Sequence, residues 1–223
     1  MPDDGDGDWS LYERHFTAAR LVAYLAECGG DDVRARRLYV WNASVASAMF
    51  ESIGHVEVAL RNALDARMTG RHLRKDRPGH WLWDSAGELG RSATDRHRPP
   101  FTEVNAAMDR VRRSGRVVSS DRVVSELPLG FWHQLVSNRQ RFLWPDLAGG
   151  FPYAPTRNQA DVRDRVGALR LVRNRAGHHH RVWGLDLPAQ YAGLLALAGF
   201  MDPGLAQWID DHSRLPELLT VRP

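Results

Sequence analysis

The sequence predicts an all-α protein, and three observations carry that expectation. Apolar residues recur at three- and four-residue steps along the first third of the chain. Glycine and proline fall where helices have to start or stop. No stretch of useful length alternates apolar with polar residues as a half-buried strand does. With 223 residues, 43% of them hydrophobic, the chain can bury a substantial core without disulfide staples.

Taken in order, residues 1–8 (MPDDGDGD) read as a disordered acidic tail, and residues 9–223 as a single helical domain. A first helix is expected from about Leu11 to Glu27, stopped by Gly29-Gly30. A second runs from about Val33 to Met68. In it Val45, Met49, Ile53, Val56, Leu60 and Leu64 form one apolar stripe. Thr69 to Pro100 is polar, with Gly, Pro and Trp scattered through it, and reads mainly as loop. A helix from about Phe101 to Arg113 follows. Between Val123 and Trp144, Pro128 and Gly130 argue against one unbroken helix. The connection WPDLAGGFPYAPTRN leads into a helix from about Val162 to Ala176. Two or three short helices, broken by Pro188, Pro203 and Pro216, close the chain. There is no internal repeat and no glycine-rich phosphate loop.

Composition narrows the function classes. Cys28 is the only cysteine, so no internal disulfide or Cys-based zinc finger is possible, which fits a reducing cytoplasm. The acidic N-terminus lacks the apolar stretch of a secretory leader, and Tyr191–Met201, the most apolar late segment, is too short to span a bilayer. A cytoplasmic protein without membrane association is the expectation. Net charge is only +3, but arginine is concentrated in residues 70–80 and 165–175, and Lys75 is the only lysine. Clustered arginine suits an anionic partner.

The segment RVGALRLVRNRAGHHHRVWG, residues 165–184, carries the chemistry. Val162, Val166 and Leu169 are spaced to share one helical face, and Arg173 is next in that series. An unpaired buried charge costs several kcal/mol, so Arg173 should find a partner, line a cleft or snorkel from the stripe edge to water. His178 lies five residues on, about 140° around a continuous helix. Two routes would bring it to the same ligand as Arg173. Gly177 can take a left-handed conformation and release His178 from the helical register, or a second subunit can complete the site.

Three readings of the His178-His179-His180 run compete. Metal sites on helices favour histidines three or four apart, whereas adjacent histidines diverge, and no acidic or Cys ligand is close in sequence. A solvated histidine run is a second reading. The third is RNA cleavage without metal or cofactor. Attack of a ribose 2′-hydroxyl on its phosphate needs proton transfer, which histidine supplies near neutrality, and charge stabilisation, which an arginine fork supplies. Asn174 adds a neutral donor and acceptor.

RNRAGHHHRVW resembles the corresponding segment of the Abi-like (abortive infection, AbiD/AbiF type) family of the HEPN superfamily. LYVWN at 38–42, HVEVALRNAL at 55–64, SELPLGFWHQL at 125–135 and FP at 151–152 look like family landmarks in the same order, so the likeness extends over roughly Leu11 to Leu219. The resemblance implies a HEPN-like helical bundle with additional short helices and long loops, forming a homodimer. It also implies a metal-independent endoribonuclease of an anti-phage or toxin system, with an Arg-x4-6-His active site composite across two protomers. Carried onto this chain, Arg173 would bind the scissile phosphate, His178 would act as general acid or base and Asn174 would be their polar neighbour. Arg175 and His179 would assist electrostatically. An antitoxin or inhibitor protein would be a further partner beside RNA. The chain departs from the family pattern at Ala176-Gly177, and at His180-Arg181 where Glu-Pro is common.

In HVEVALRNAL, Glu57 and Arg61 have the spacing and orientation of a helical ion pair, at the border of the apolar stripe. Two readings apply: a surface pair of a few tenths of a kcal/mol, or a supporting group of Glu57, Arg61 and Asn62 beside the motif helix, with Glu57 orienting an arginine. Trp41, Phe131 and Trp132 read as core rather than as base-stacking platforms. Two rival functions remain at this stage: a dimer that holds RNA or a nucleotide without cutting it, and a protein-interaction subunit of a defence system.

Overall fold

The computed structural model describes residues 9–90 and 100–223. The expected tail at 1–8 lies outside the described residues, as does 91–99. Among the described residues the chain forms eleven α-helices joined by turns and short 3-10 segments, with no strand. They are α1 (Trp9–Phe16), α2 (Ala18–Glu27), α3 (Asp32–Arg74), α4 (Pro100–Arg113), α5 (Ser120–Glu126), α6 (Leu129–Leu135), α7 (Trp144–Leu147), α8 (Gln159–Gly177), α9 (Leu187–Met201), α10 (Pro203–His212) and α11 (Leu215–Thr220).

The spine is α3. It contains no proline, and Asp31 caps its N-terminus by accepting the Arg34 N–H at 3.0 Å. The expected stripe Val45, Met49, Ile53, Val56, Leu60, Leu64 is buried along it. Helices α2, α6, α7, α8, α9 and α11 pack against α3, and α10 folds back on α9. Helix α8 runs antiparallel to α3, its C-terminal turn beside residues 42–50, with Val162, Val166, Leu169, Val172 and Ala176 buried. Asn158 caps α8, and Gln159 Nε2 donates to the Val136 and Ser137 carbonyls at 3.0 and 2.8 Å, fixing the start of α8 to the end of α6. One contiguous apolar core runs from Tyr24 to Leu215. Among the described residues no helix is long and apolar enough to cross a membrane.

Three expectations need correction. The first helix is two, because Thr17 adopts φ 65° and turns α1 so that Tyr12 and Phe16 pack on Tyr39 of α3, with ring centroids 5.5 and 4.9 Å apart. The second continues six residues past Met68 to Arg74, where ionic contacts hold its last turn. Arg71, buried there, donates to Glu88 and Asp146, and Arg77 donates to Glu88, clamping the end of α3 to the following loop and to α7. Pro188, Pro203 and Pro216 sit in the first turns of α9, α10 and α11, where a missing N–H costs nothing, so they open helices rather than break them. A fourth point, which of two routes Gly177 allows, is settled by the end of α8.

Candidate functional site

Helix α8 stays helical through Gly177. His178 is the C-cap, with φ −96° and ψ 11°, and its N–H donates to the Asn174 carbonyl at 3.0 Å. The left-handed residue is His179, at φ 55°. Its N–H reaches the Ala176 carbonyl at 3.0 Å, and that of His180 reaches Arg175 at 2.8 Å, so the final carbonyls of α8 are satisfied. Of the two routes to a common ligand, release of His178 at Gly177 is therefore not the one taken within this chain. Gly177 is exposed in the last turn, and a Cβ there would meet the Phe50 ring at 3.6 Å, an ordinary contact, so neither backbone conformation nor packing requires glycine at this position.

Because the register holds to His178, Arg173 and His178 remain about 140° apart within one chain. Their surroundings differ accordingly. Arg173 is half-buried at the edge of the apolar stripe, its guanidinium carbon 5.7 Å from the Phe50 ring centroid. Its Nε is buried, and among the described residues it has no hydrogen-bond or ion-pair partner. His178 is exposed, with its ring 5.8 Å from that of His180. Asn174 is exposed, and Leu171, Asn174 and His178 share one outward face of α8 within about 60° of each other.

Arginines organise the turn after α8. Arg175 donates from Nε and Nη2 to the Arg181 carbonyl at 3.2 and 2.7 Å, and Arg20 on α2 donates from Nη2 to the His179 carbonyl. Arg20 also lies over Tyr39 at 5.8 Å, and Arg181 over Trp183 at 5.6 Å. Two grooves flank this turn and share Arg20 and His179. One, of about 530 Å³, lies between α2, α3 and α8. It is lined by Tyr39 and Phe50, by the buried Tyr24, and by Ala43, Ala46 and Ala176; Phe50 is the exposed aromatic ring among them. The other, of about 520 Å³, is lined by Arg175, His180 and Arg181 with the aliphatic side of α2. Neither lining contains a carboxylate. Burial raises the Tyr24 hydroxyl to about 12, so it stays neutral and able to donate at physiological pH.

Comparison with family models, curated proteins and solved structures finds no match for this chain.

The structure thus brings Arg175 and His179 together at the grooves, holds Arg173 against Phe50 at the groove wall, and leaves Asn174 and His178 on the outer face of α8. Glu57, Arg61 and Asn62 line neither groove. They lie further along α3, about 10 to 18 Å beyond Phe50 at 1.5 Å per residue. Arg61 Nη1 donates to the Ser125 carbonyl at 3.1 Å, joining α3 to α5, and no Glu57–Arg61 ion pair forms among the described residues. Nor do any three His, Cys, Asp or Glu side chains among them come together as a metal site.

Sequence reasoning missed Arg20, Asn42, Tyr24, Tyr39 and Phe50. Asn42 accepts the Val182 N–H on Oδ1 at 2.8 Å and is only 4% exposed. Tyr39 and Asn42 fall within the landmark LYVWN, but nothing local points any of the five to a site, because each meets the end of α8 only through packing of α2 and α3 against it.

Proposed function

We propose that the chain is a metal-independent endoribonuclease of the HEPN type, acting on RNA at the end of α8. The observation that supports this reading best is the pair of carboxylate-free grooves around Arg20, Arg175, His179 and Arg181. On a chain with almost equal numbers of acids and bases, such a local excess of donors suits the phosphates of a nucleic acid. Arg173 adds a guanidinium that makes no hydrogen bond or ion pair among the described residues.

In the reaction, the ribose 2′-oxygen attacks phosphorus, the 2′-proton passes to an imidazole and the P–O5′ bond breaks. A protonated imidazole then supplies the proton that the departing 5′-oxygen takes up. The products are a 2′,3′-cyclic phosphate and a 5′-hydroxyl. His178 is assigned the proton transfer and Arg173 the non-bridging phosphate oxygens. With the two side chains about 140° apart on one helix, the complete site takes Arg173 from one copy and His178 from a second. Leu171, 54% exposed beside His178, offers an apolar patch for a second copy, which must dock there with its Arg173 edge because Arg173 lies about 160° around α8 from Leu171. A toxin-like role in anti-phage defence, restrained by an inhibitor protein, follows from the same reading.

One observation favours a second reading, an RNA-binding dimer that does not cut: His178 lines neither groove. Incubation of wild type and His178→Ala with single-stranded RNA in chelator decides between them. Wild-type cleavage leaving cyclic phosphate ends, lost in the variant, supports the nuclease. RNA binding without cleavage by either protein supports the second reading, and cleavage that His178→Ala retains refutes the assignment.

A further inference from the structure

We infer that the groove between α2, α3 and α8 holds one unstacked base of the RNA, and that Asn42 selects a base presenting a carbonyl oxygen. The inference rests on the RNA reading above and adds a base subsite and a specificity residue to it. At about 530 Å³ the groove falls in the range of roughly 300–1,000 Å³ typical of small-molecule sites, and its lining combines three alanines with the exposed ring of Phe50, the aromatic surface open to a base. Any nucleobase can stack on such a ring, because every base has a π-face. The neighbouring groove, polar and basic, begins across the Arg20–His179 ridge, so a base seated in the first directs its phosphates to Arg175 and Arg181 in the second. Charge complementarity favours a nucleotide over a neutral aromatic ligand, since no carboxylate lines either groove.

Asn42 supplies the discrimination. A backbone N–H only donates, so the atom facing Val182 is the amide oxygen, which leaves Nδ2 as the free end. That nitrogen makes no hydrogen bond among the described residues, and the residue lines the groove while being only 4% exposed. With Oδ1 already engaged by the Val182 N–H, the uncommitted group of Asn42 is the Nδ2 donor. Guanine, hypoxanthine and uracil offer it a carbonyl oxygen; adenine presents an amino group where hypoxanthine has its 6-oxygen.

The test measures binding of short 2′-O-methyl oligoinosinate and oligoadenylate, which cannot be cut through the 2′-oxygen, by anisotropy at low salt. Wild type is expected to favour oligoinosinate about fivefold, the size of one net hydrogen bond. Asn42→Asp keeps the acceptor for Val182 but removes the donor, and should abolish that preference. Phe50→Ala, and Ala43→Trp at an exposed lining position that a bulky ring would fill, should each weaken oligoinosinate binding about tenfold, as loss of one stacked base does. Wild type with equal affinity for the two oligomers, or groove variants that bind as wild type does, would overturn the base subsite while leaving RNA binding intact. Absence of binding by wild type would overturn both the subsite and the RNA reading. Because Ala43 and Phe50 are exposed, their variants are expected to fold even where Asn42→Asp does not.

Discussion

The guanidinium of Arg173 lies over the ring of Phe50, with 5.7 Å between guanidinium carbon and ring centroid, and this contact joins the last turns of α8 to α3 at the groove wall. It anchors a cation without neutralising it. Arg173→Met keeps the aliphatic stem and removes the buried, unpartnered Nε, so stability should be unchanged or higher. RNA affinity should fall, and the slope of log affinity against log salt should shrink by about 1, as expected for one lost phosphate contact. Thermal melts and salt-dependent binding isotherms check the two halves. An unchanged salt slope would remove Arg173 from the phosphate contacts.

His179 separates backbone strain from function. At φ 55° it occupies a region that costs a non-glycine residue about 1 kcal/mol or more, so His179→Gly should fold with equal or greater stability. The same substitution removes an imidazole shared by both grooves and should weaken RNA binding. A variant that is destabilised, or that binds RNA as tightly as wild type, would contradict this account of the turn.

Leu171 tests the need for two copies. Leu171→Glu places a charge on the face of α8 that carries Asn174 and His178, away from the core and the grooves. Sedimentation should show a monomer where wild type self-associates, and RNA cleavage should fall with dimerisation rather than with RNA binding. Retention of full cleavage by a monomeric variant would show that one copy suffices.

The ion cluster at the end of α3 makes a prediction about pH. Burial alone would raise the Glu88 carboxyl, but hydrogen bonds from Arg77 and Arg71 outweigh it and hold its pKa down at about 2, against an ordinary 4.5. A depressed carboxylate contributes stability above its unfolded pKa and loses it as pH falls through the folded value. Glu88→Gln should therefore cost about 2–3 kcal/mol near neutrality. The gap between the two proteins should narrow from pH 4.5 downward and approach zero near pH 2. A constant gap across that range would refute the assignment.

The long helices were legible because their information is local. Val45 to Leu64 repeat with the helical period, and those residues are buried along α3. Where tertiary contacts override local signals, the reading failed. Thr17 carries no glycine or proline, yet the chain turns there because packing Tyr12 and Phe16 on Tyr39 outweighs the strain. Gly177 carries the residue type of a helix end, yet the helix runs through it and His179, at φ 55°, takes the turn. At the candidate site, arginine and histidine types were readable in residues 173–180. The groove was not, since Arg20 reaches His179 across 159 residues and Asn42 reaches Val182 across 140.

The most direct measurement of the central claim mixes two inactive proteins. Arg173→Ala and His178→Ala, each confirmed folded and dimeric, are expected to leave RNA intact when assayed alone. Combined in equal amounts and allowed to exchange, half of the dimers hold one intact composite site out of two, so about a quarter of wild-type cleavage should return. A mixture as silent as its components, with exchange demonstrated, would contradict a site shared between two copies, and wild-type cleavage by either variant alone would contradict the assignment of Arg173 and His178.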